Sequence, residues 1–343
     1  MGIRVKNDLL RKYREDSGFT RAYVEEQTGV AQSRIVALED GTTGNTKATV
    51  TYAEKLCDFY SVNHKDVIHY NYKEAKFIGF GMSKGGTGKS TTTGEIVYHL
   101  SKKFKLCVID GDPQCNLSRI LSEVQMTFDD DNAKDLARYL EVPEHKIRKL
   151  KIQEFIHKTK LKNVDIIRSH PDLFLAGNIL KSKVMELGPY KQLKEKILDL
   201  GKYDFVLIDT PPNIDAATIG LYAMTDKFFV PLDMAPFTRD SIPTFVKAIE
   251  MVRVAKSQLF NENFFISGVI KTQIDKRLLV DRQISEYIDT QFGKLVVDIE
   301  IPRFEGVRKA QNGSLFLSEF DKDSERGKQL NKLFRSLAME VIK

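Results

Sequence analysis

Seven consecutive residues, Lys84-Gly85-Gly86-Thr87-Gly88-Lys89-Ser90, have the types and spacing to hold a polyphosphate. Glycines at 85, 86 and 88 let the backbone adopt positive φ and approach anionic oxygens, so successive N–H groups can turn inward onto phosphates. Lys89 is placed for the β- and γ-phosphates, the Ser90 hydroxyl for Mg²⁺, and Thr91 for the α-phosphate. The stretch carries one lysine more than the general pattern G-x-x-x-x-G-K-[ST] requires. Lys84 cannot easily fold back over its own loop, so its ammonium is better used on the phosphates of a second, facing subunit. That predicts a homodimer with nucleotide sandwiched between two copies. A glycine-rich turn without a ligand is the competing reading, and it leaves the ordered lysines and Ser90 unexplained.

Two carboxylate segments complete the expected chemistry. Leu106-Cys107-Val108-Ile109-Asp110-Gly111-Asp112 ends in paired acids, of which Asp112 suits the orientation of an attacking water and Asp110 the surroundings of Mg²⁺. Phe205-Val206-Leu207-Ile208-Asp209 is a second apolar run ending in one acid, as expected of a residue that holds metal through water. Either acid alone reads equally well as a strand-end cap; beside the loop, the catalytic reading is favoured.

These residues need strands that end at one place and a helix that starts there. The apolar run Phe77–Met82 leads into the loop, a helix is expected over about 89 to 102, and the runs before Asp110 and Asp209 read as buried parallel strands. The predicted fold is α/β, a doubly wound, mostly parallel sheet with ligands at its carboxyl edge.

With these motifs in place the chain resembles the ParA/MinD-type ATPases, whose phosphate loop is a deviant Walker A. K-G-G-T-G-K-S-T at 84–91, D-G-D-P-Q at 110–114 and I-D-T-P-P at 208–212 are similar to that family's three nucleotide motifs. Val164–Arg168 resembles its mid-domain strand and Ile301-Pro302-Arg303 a late segment, so the resemblance covers about residues 76 to 343. It implies ATP/ADP and Mg²⁺ as cofactors, and it implies Pro302, with Thr272 or Gln273, near the adenine. It also implies nonspecific DNA binding by the ATP dimer, and a centromere-binding ParB-like partner that stimulates slow hydrolysis.

Upstream, Asp8–Glu15, Thr20–Thr28 and Ala31–Glu39 read as three short helices, with Thr20 as N-cap and Gly29 as the break between the second and third. Val30, Ile35 and Leu38 supply an apolar face, and a tight glycine turn between short helices is the helix-turn-helix signature. Residues 5 to 70, including a later helix around Tyr52–Tyr60, resemble phage-repressor (Cro/C1-type, XRE) domains, and the expected module is small and all-α. In that fold the start of the third helix enters the major groove, which nominates Gln32, Ser33 and Arg34 for bases and Arg21 for phosphates. The alternative is an adaptor or dimerisation module of the same shape. Residues 1 to 75 carry eleven Lys plus Arg and eleven Asp plus Glu, so this module is neutral and the net charge of +6 lies downstream. Long-range steering toward DNA is therefore weak here.

The expected division is residues 1–70, a connector over 71–76 that continues the polar stretch from Ser61, and an ATPase domain over 77–343. The 343 residues include three cysteines, Cys57, Cys107 and Cys115, without metal or disulfide spacing, which suits a reducing, cytoplasmic setting; association with the nucleoid there is what the resemblance implies. No apolar run approaches bilayer length and Met1–Arg4 begins no signal peptide, so no membrane partner is expected. Between the carboxylate segments, His145 to Lys162 reads as a helical, Lys-rich region with seven Lys plus Arg against Glu154, either a solvated face or a DNA surface. Lys271, Arg277, Arg303, Arg308 and Lys309 are further candidates for nonspecific DNA. Leu330, Leu333, Phe334, Leu337 and Val341 make the last helix amphipathic, which fits packing on the sheet better than membrane binding.

The resulting expectation is a DNA-partition ATPase whose N-terminal module binds an operator to repress its own operon. Two alternatives stand beside it. One is a transcriptional regulator in which the ATPase only senses nucleotide, and the other is a membrane-positioning, MinD-like ATPase.

Overall fold

A computed structural model describes residues 2–5, 7–42, 47–62, 67–71, 75–123, 134–173, 187–320 and 322–343. The chain divides into two compact units, Met1–Glu74 and Ala75–Lys343. Of the expected connector 71–76, Asn71 closes one strand and Lys76 opens another, while residues 72–74 lie outside the described residues, as do residues 63–66 of the polar stretch before it.

The first unit holds helices Asn7–Asp16, Arg21–Thr28, Gln32–Asp40 and Lys47–Phe59. Thr20 caps the second through its hydroxyl, which accepts from the Tyr23 N–H at 3.2 Å. Gly29 ends it at φ +68°, a left-handed conformation that costs glycine nothing. Leu10, Val24, Val30, Ile35, Leu38, Ala53, Leu56, Cys57 and Val67 form its core. Buried Glu39 binds the helices together by accepting from Arg14 Nε at 2.6 Å and from Arg21 Nη2 at 2.8 Å. The unit is not all-helical, which corrects the sequence reading. Strands β1 (Gly2–Val5) and β2 (Ile68–Asn71) pair antiparallel, with Gly2 opposite Asn71, joining the two ends of the unit by a backbone ladder. Four-residue strands with a single β-branched alternation are too short to register against the helical pattern around them.

The second unit is built on one seven-stranded sheet. Its strands are β3 (Lys76–Phe80), β4 (Leu106–Asp110), β5 (His157–Lys158), β6 (Val164–Ile167), β7 (Phe205–Asp209), β8 (Lys227–Asp233) and β9 (Gly268–Thr272). They lie in the order β5-β6-β4-β7-β3-β8-β9, parallel throughout except for the antiparallel β5–β6 pair at the edge. Period-two alternation sends Cys107, Ile109, Val206 and Ile208 into one core, and Leu106, Val108, Phe205 and Leu207 into the other. The helices Lys89–Leu100 and Glu325–Val341 cover the second face, while Ala216–Ala223 and Thr238–Phe260 pack on the first. Leu330, Phe334, Leu337 and Val341 are all buried, so the apolar face of the last helix is covered.

The Lys-rich region departs from the helical expectation. It forms a single turn at Glu144–Ile147, a 3₁₀ turn at Ile152–Phe155 and strand β5. Buried Ile147, Ile152 and Phe155 are spaced five and three apart, a spacing that keeps no continuous helical stripe.

Candidate nucleotide site

The loop after β3 connects directly to the helix Lys89–Leu100, with Gly86 at φ +77° and Gly88 at φ +81°. Nothing lies within 4 Å of where a Cβ would stand on Gly85 or Gly86. The loop is thus open on the side where phosphates would approach. Its other side is pinned by β9: Thr272 Oγ1 donates to the Thr87 carbonyl at 2.8 Å, and Gln273 Nε2 donates to the Gly86 carbonyl. Lys89 is buried, and its Nζ donates to the Lys84 carbonyl at 2.9 Å, curling over the loop from inside. Burial lowers the Lys89 pKa, and the charges of Asp209, Asp112 and Asp233 oppose that shift.

Parallel pairing sets the carboxylates side by side, because Asp110 of β4 stands in register with Asp209 of β7. Asp110 is saturated: its Oδ2 accepts from the Ser118 N–H at 2.7 Å and hydroxyl at 2.6 Å, and its Oδ1 from the Asp112 N–H at 3.2 Å. Even so, burial raises its pKa to about 6. Both oxygens of Asp209 are buried without a hydrogen bond of good geometry. Burial, reinforced by the charge of Asp110, raises the Asp209 pKa well above the carboxylate range, while the nearby Ser90 hydroxyl and Lys89 pull only partly the other way. Asp112 is buried beyond the end of β4, where its Oδ1 accepts from the Gln114 N–H at 2.9 Å.

A cleft of about 890 Å³ opens over these groups, lined by the loop, Ser90, Thr91, Asp112, Thr272, Gln273 and Pro302 among others. Ile301 and Pro302 reach it because the segment after residue 296 runs beside β9, its Ile301 N–H donating to the Lys271 carbonyl at 2.9 Å. Lys89, Ser90, Asp112 and Pro302 thus line one opening, while Asp110 and Asp209 lie fully buried at the adjoining ends of β4 and β7 and do not line it. Among the described residues no group of three His, Cys, Asp or Glu side chains is placed to hold a metal by itself. That donor set suits Mg²⁺, which keeps most of its water and takes one or two protein groups beside phosphate oxygens. The unpartnered Asp209 carboxylate beside Ser90 is the position such an ion fits.

Lys84 has an arrangement the sequence did not foretell. Its Nζ donates to Asp233 Oδ1 at 2.6 Å, Asp233 Oδ2 at 2.8 Å and Thr238 Oγ1 at 3.0 Å. Asp233 and Thr238 are the residues that sequence reasoning missed; an acid ending the apolar strand β8 was the only available signal.

In the first unit, Gln32, Ser33 and Arg34 stand exposed at the start of the Gln32–Asp40 helix. Gln32 Nε2 donates to Glu25 at 2.7 Å, and Arg21 is engaged by Glu39 rather than held free for phosphate. Among the DNA candidates, Lys271 is buried and paired with Asp289 and Glu300, each at 3.0 Å, which removes it from any exposed surface. Arg277 pairs with Asp275 at 2.7 Å, Arg303 lies 3.7 Å from Asp281, Lys309 is exposed, and the Arg308 side chain lies outside the described residues.

A family model described as an AAA domain matches residues 75–264. The chain is 26% identical over 263 residues to the chromosome-partitioning ATPase Soj of Treponema pallidum, covering 76% of this chain and 96% of that protein. It is 26% identical over 230 residues to the chromosome partitioning protein ParA of Myxococcus xanthus, covering 66% and 75%. Among solved structures, apo McdA of Cyanothece superposes with a TM-score of 0.64 at 20% identity, covering 78% of this chain and all of that one. The septum site-determining protein MinD of Pyrococcus horikoshii, complexed with Mg-ADP, does so with a TM-score of 0.57 at 23% identity, covering 78% and 96%. These two structures share the fold of the second unit's sheet and helices.

Proposed function

The chain belongs to the AAA domain family, and from that premise we propose that it is an ATP-dependent DNA-partition ATPase that pairs on ATP and separates on hydrolysis. The observation that supports this reading most directly is the phosphate loop with a lysine at each end, set against the buried, unpartnered Asp209. The similarity to Soj and ParA supports the partition role.

ATP with Mg²⁺ supplies the phosphoanhydride that is broken. Lys89 exchanges the Lys84 carbonyl for the β- and γ-phosphates, and loop N–H groups from Gly85 to Gly88 meet their oxygens. The Ser90 hydroxyl and Asp209 would hold Mg²⁺, with Asp110 in its surroundings, and the ion would supply positive charge to the phosphate oxygens. Asp112 orients the attacking water, Thr91 contacts the α-phosphate and Pro302 borders the base. Lys84 serves the nucleotide of the facing copy. In the ATP state the dimer binds nucleoid DNA nonspecifically, and hydrolysis, stimulated by a centromere-binding ParB-like protein, releases it.

The first unit acts as a helix-turn-helix operator reader, domain 1–70 of a chain whose ATPase domain spans 77–343. Exposed Gln32, Ser33 and Arg34 support that role, while Arg21 can grip phosphate only by leaving Glu39. Among the described residues no helix is long and apolar enough to cross a membrane, and the last helix has its apolar face covered, so neither feature supports a membrane role. A purified-protein binding assay on random and native upstream DNA, with ADP and with a nonhydrolysable ATP analogue, tests the proposal. Random DNA held only with the analogue is the expected result. Upstream DNA alone, held in either state, would leave a nucleotide-sensing regulator instead.

A further inference from the structure

We propose that Asp233 and Thr238 hold Lys84 against its own protomer, and that releasing it sets the protein concentration at which ATP pairs two copies. The inference rests on the reading of Lys84 as a group that serves the facing copy's nucleotide. An ammonium has three N–H donors, and here all three have acceptors, the two oxygens of Asp233 and Thr238 Oγ1, at 2.6 to 3.0 Å. Nothing is left over for a phosphate, so Lys84 must exchange one set of partners for the other.

The holding site is built from two elements. Asp233 ends β8 and Thr238 opens the helix Thr238–Phe260, and the Thr238 hydroxyl donates to Asp233 Oδ1, orienting the carboxylate. The side chains of Lys84 and Asp233 are only 19% and 12% exposed, so the pair is shielded from the screening that makes surface ion pairs weak. A triphosphate carries more negative charge than one carboxylate, which gives the exchange its direction. It is also reversible: after Lys84 leaves, Asp233 keeps the Thr238 hydroxyl and the field of Lys89, whose pKa already registers its charge. The carboxylate is therefore not abandoned as an uncompensated buried charge.

Each pair of copies releases two lysines, so the effect on pairing is counted twice. A hydrogen-bonded, partly buried ion pair corresponds to roughly tenfold in an equilibrium, and two of them to about a hundredfold. Asp233→Asn and Thr238→Val are therefore expected to pair at lower protein concentration with Mg²⁺ and a nonhydrolysable ATP analogue, by about a hundredfold and tenfold respectively. Sedimentation velocity over a concentration series reads this, beside nucleotide affinity measured at concentrations where the protein is monomeric. That affinity should stay unchanged, and Asp233→Glu should restore the original threshold.

If Asp233→Asn pairs at the same or a higher concentration while Lys84→Ala fails to pair, the restraint is refuted and the sandwich reading stands. If Lys84→Ala pairs like the unaltered chain, the sandwich reading itself has failed. Should Asp233→Asn unfold, Thr238→Val alone decides, because it removes one acceptor without leaving a charge unpaired.

Discussion

Buried carboxylates are treated in opposite ways in the two units. Glu39 receives two guanidiniums, and although burial pushes its pKa upward, the hydrogen bonds from Arg14 and Arg21 hold it below the ordinary range. Asp110 and Asp209 stand in register on adjacent strands, Asp110 receiving neutral donors from Ser118 and Asp112 and Asp209 none of good geometry, and burial raises both. A buried charge that is fully paired is a strut, whose removal damages the fold. A buried carboxylate without a cationic partner, even one that is hydrogen-bonded like Asp110, destabilises the empty protein, and a bound cation would complete it.

The largest effect should come from breaking the strut. Glu39→Ala removes the buried acceptor that two guanidiniums share, leaving Arg14 only exposed Glu15 and the Phe19 carbonyl, and should destabilise the first unit by about 3–5 kcal/mol, read by chemical denaturation. ATP binding by the second unit should persist. A small loss would erase the contrast with the sheet edge.

Asp209→Asn should have the opposite sign on stability. At pH 8 it should stabilise the nucleotide-free protein, because the buried carboxylate is raised well above its ordinary range, while lowering Mg²⁺-dependent hydrolysis about a hundredfold. A variant that is both less stable and fully active would place Asp209 among the struts.

Acidity should separate the two kinds of carboxylate in a single protein. Because folding raises the Asp110 pKa from 3.8 to about 6, its contribution to stability is complete below the unfolded value and is lost as pH rises through about 6. Glu95 acts in the same direction: burial raises it to about 7, against hydrogen bonds from the Leu317 and Ser318 N–H groups and the Ser318 hydroxyl. Glu39, lowered from 4.5, contributes above that value, and its contribution is lost as pH falls. Thermal melting of the nucleotide-free protein should therefore show the second unit losing stability between pH 5 and 8, and the first losing it below about pH 4.5. Mg²⁺-ATP should remove much of the slope between pH 5 and 8.

The smallest effect is expected on the exposed face of the first unit. Arg34→Ala should weaken binding to a native upstream site by about 1–3 kcal/mol if Arg34 reads a base. An equal loss on random DNA would make it a phosphate contact.

Much of the second unit was legible because its motifs are contiguous. The strands before Asp110 and Asp209 are unbroken apolar runs, and the loop glycines with Lys89 and Ser90 lie within one turn. Legibility ended where partners come from far along the chain. Asp233 lies 149 residues after Lys84, Thr272 lies 185 after Thr87, and nothing in local spacing joins them. Lys271 looked like a surface cation because its two acids, Asp289 and Glu300, sit on other elements. The short strands β1 and β2 were missed for the same reason, since each forms only because the other end of the unit meets it.

The amino-acid sequence by itself determined where backbone can approach phosphate, which strands are buried on both faces, and which residue types end them. Those properties follow from glycine's conformational range and from hydrophobic periodicity, both local. Tertiary structure alone decided which charges are satisfied. A pKa or a free ammonium depends on what packs within a few ångströms, and parallel pairing brings strands from distant parts of the chain to that distance. Hence the lysine that reads from sequence as offered to a neighbour is, in the folded chain, first held by an aspartate of its own.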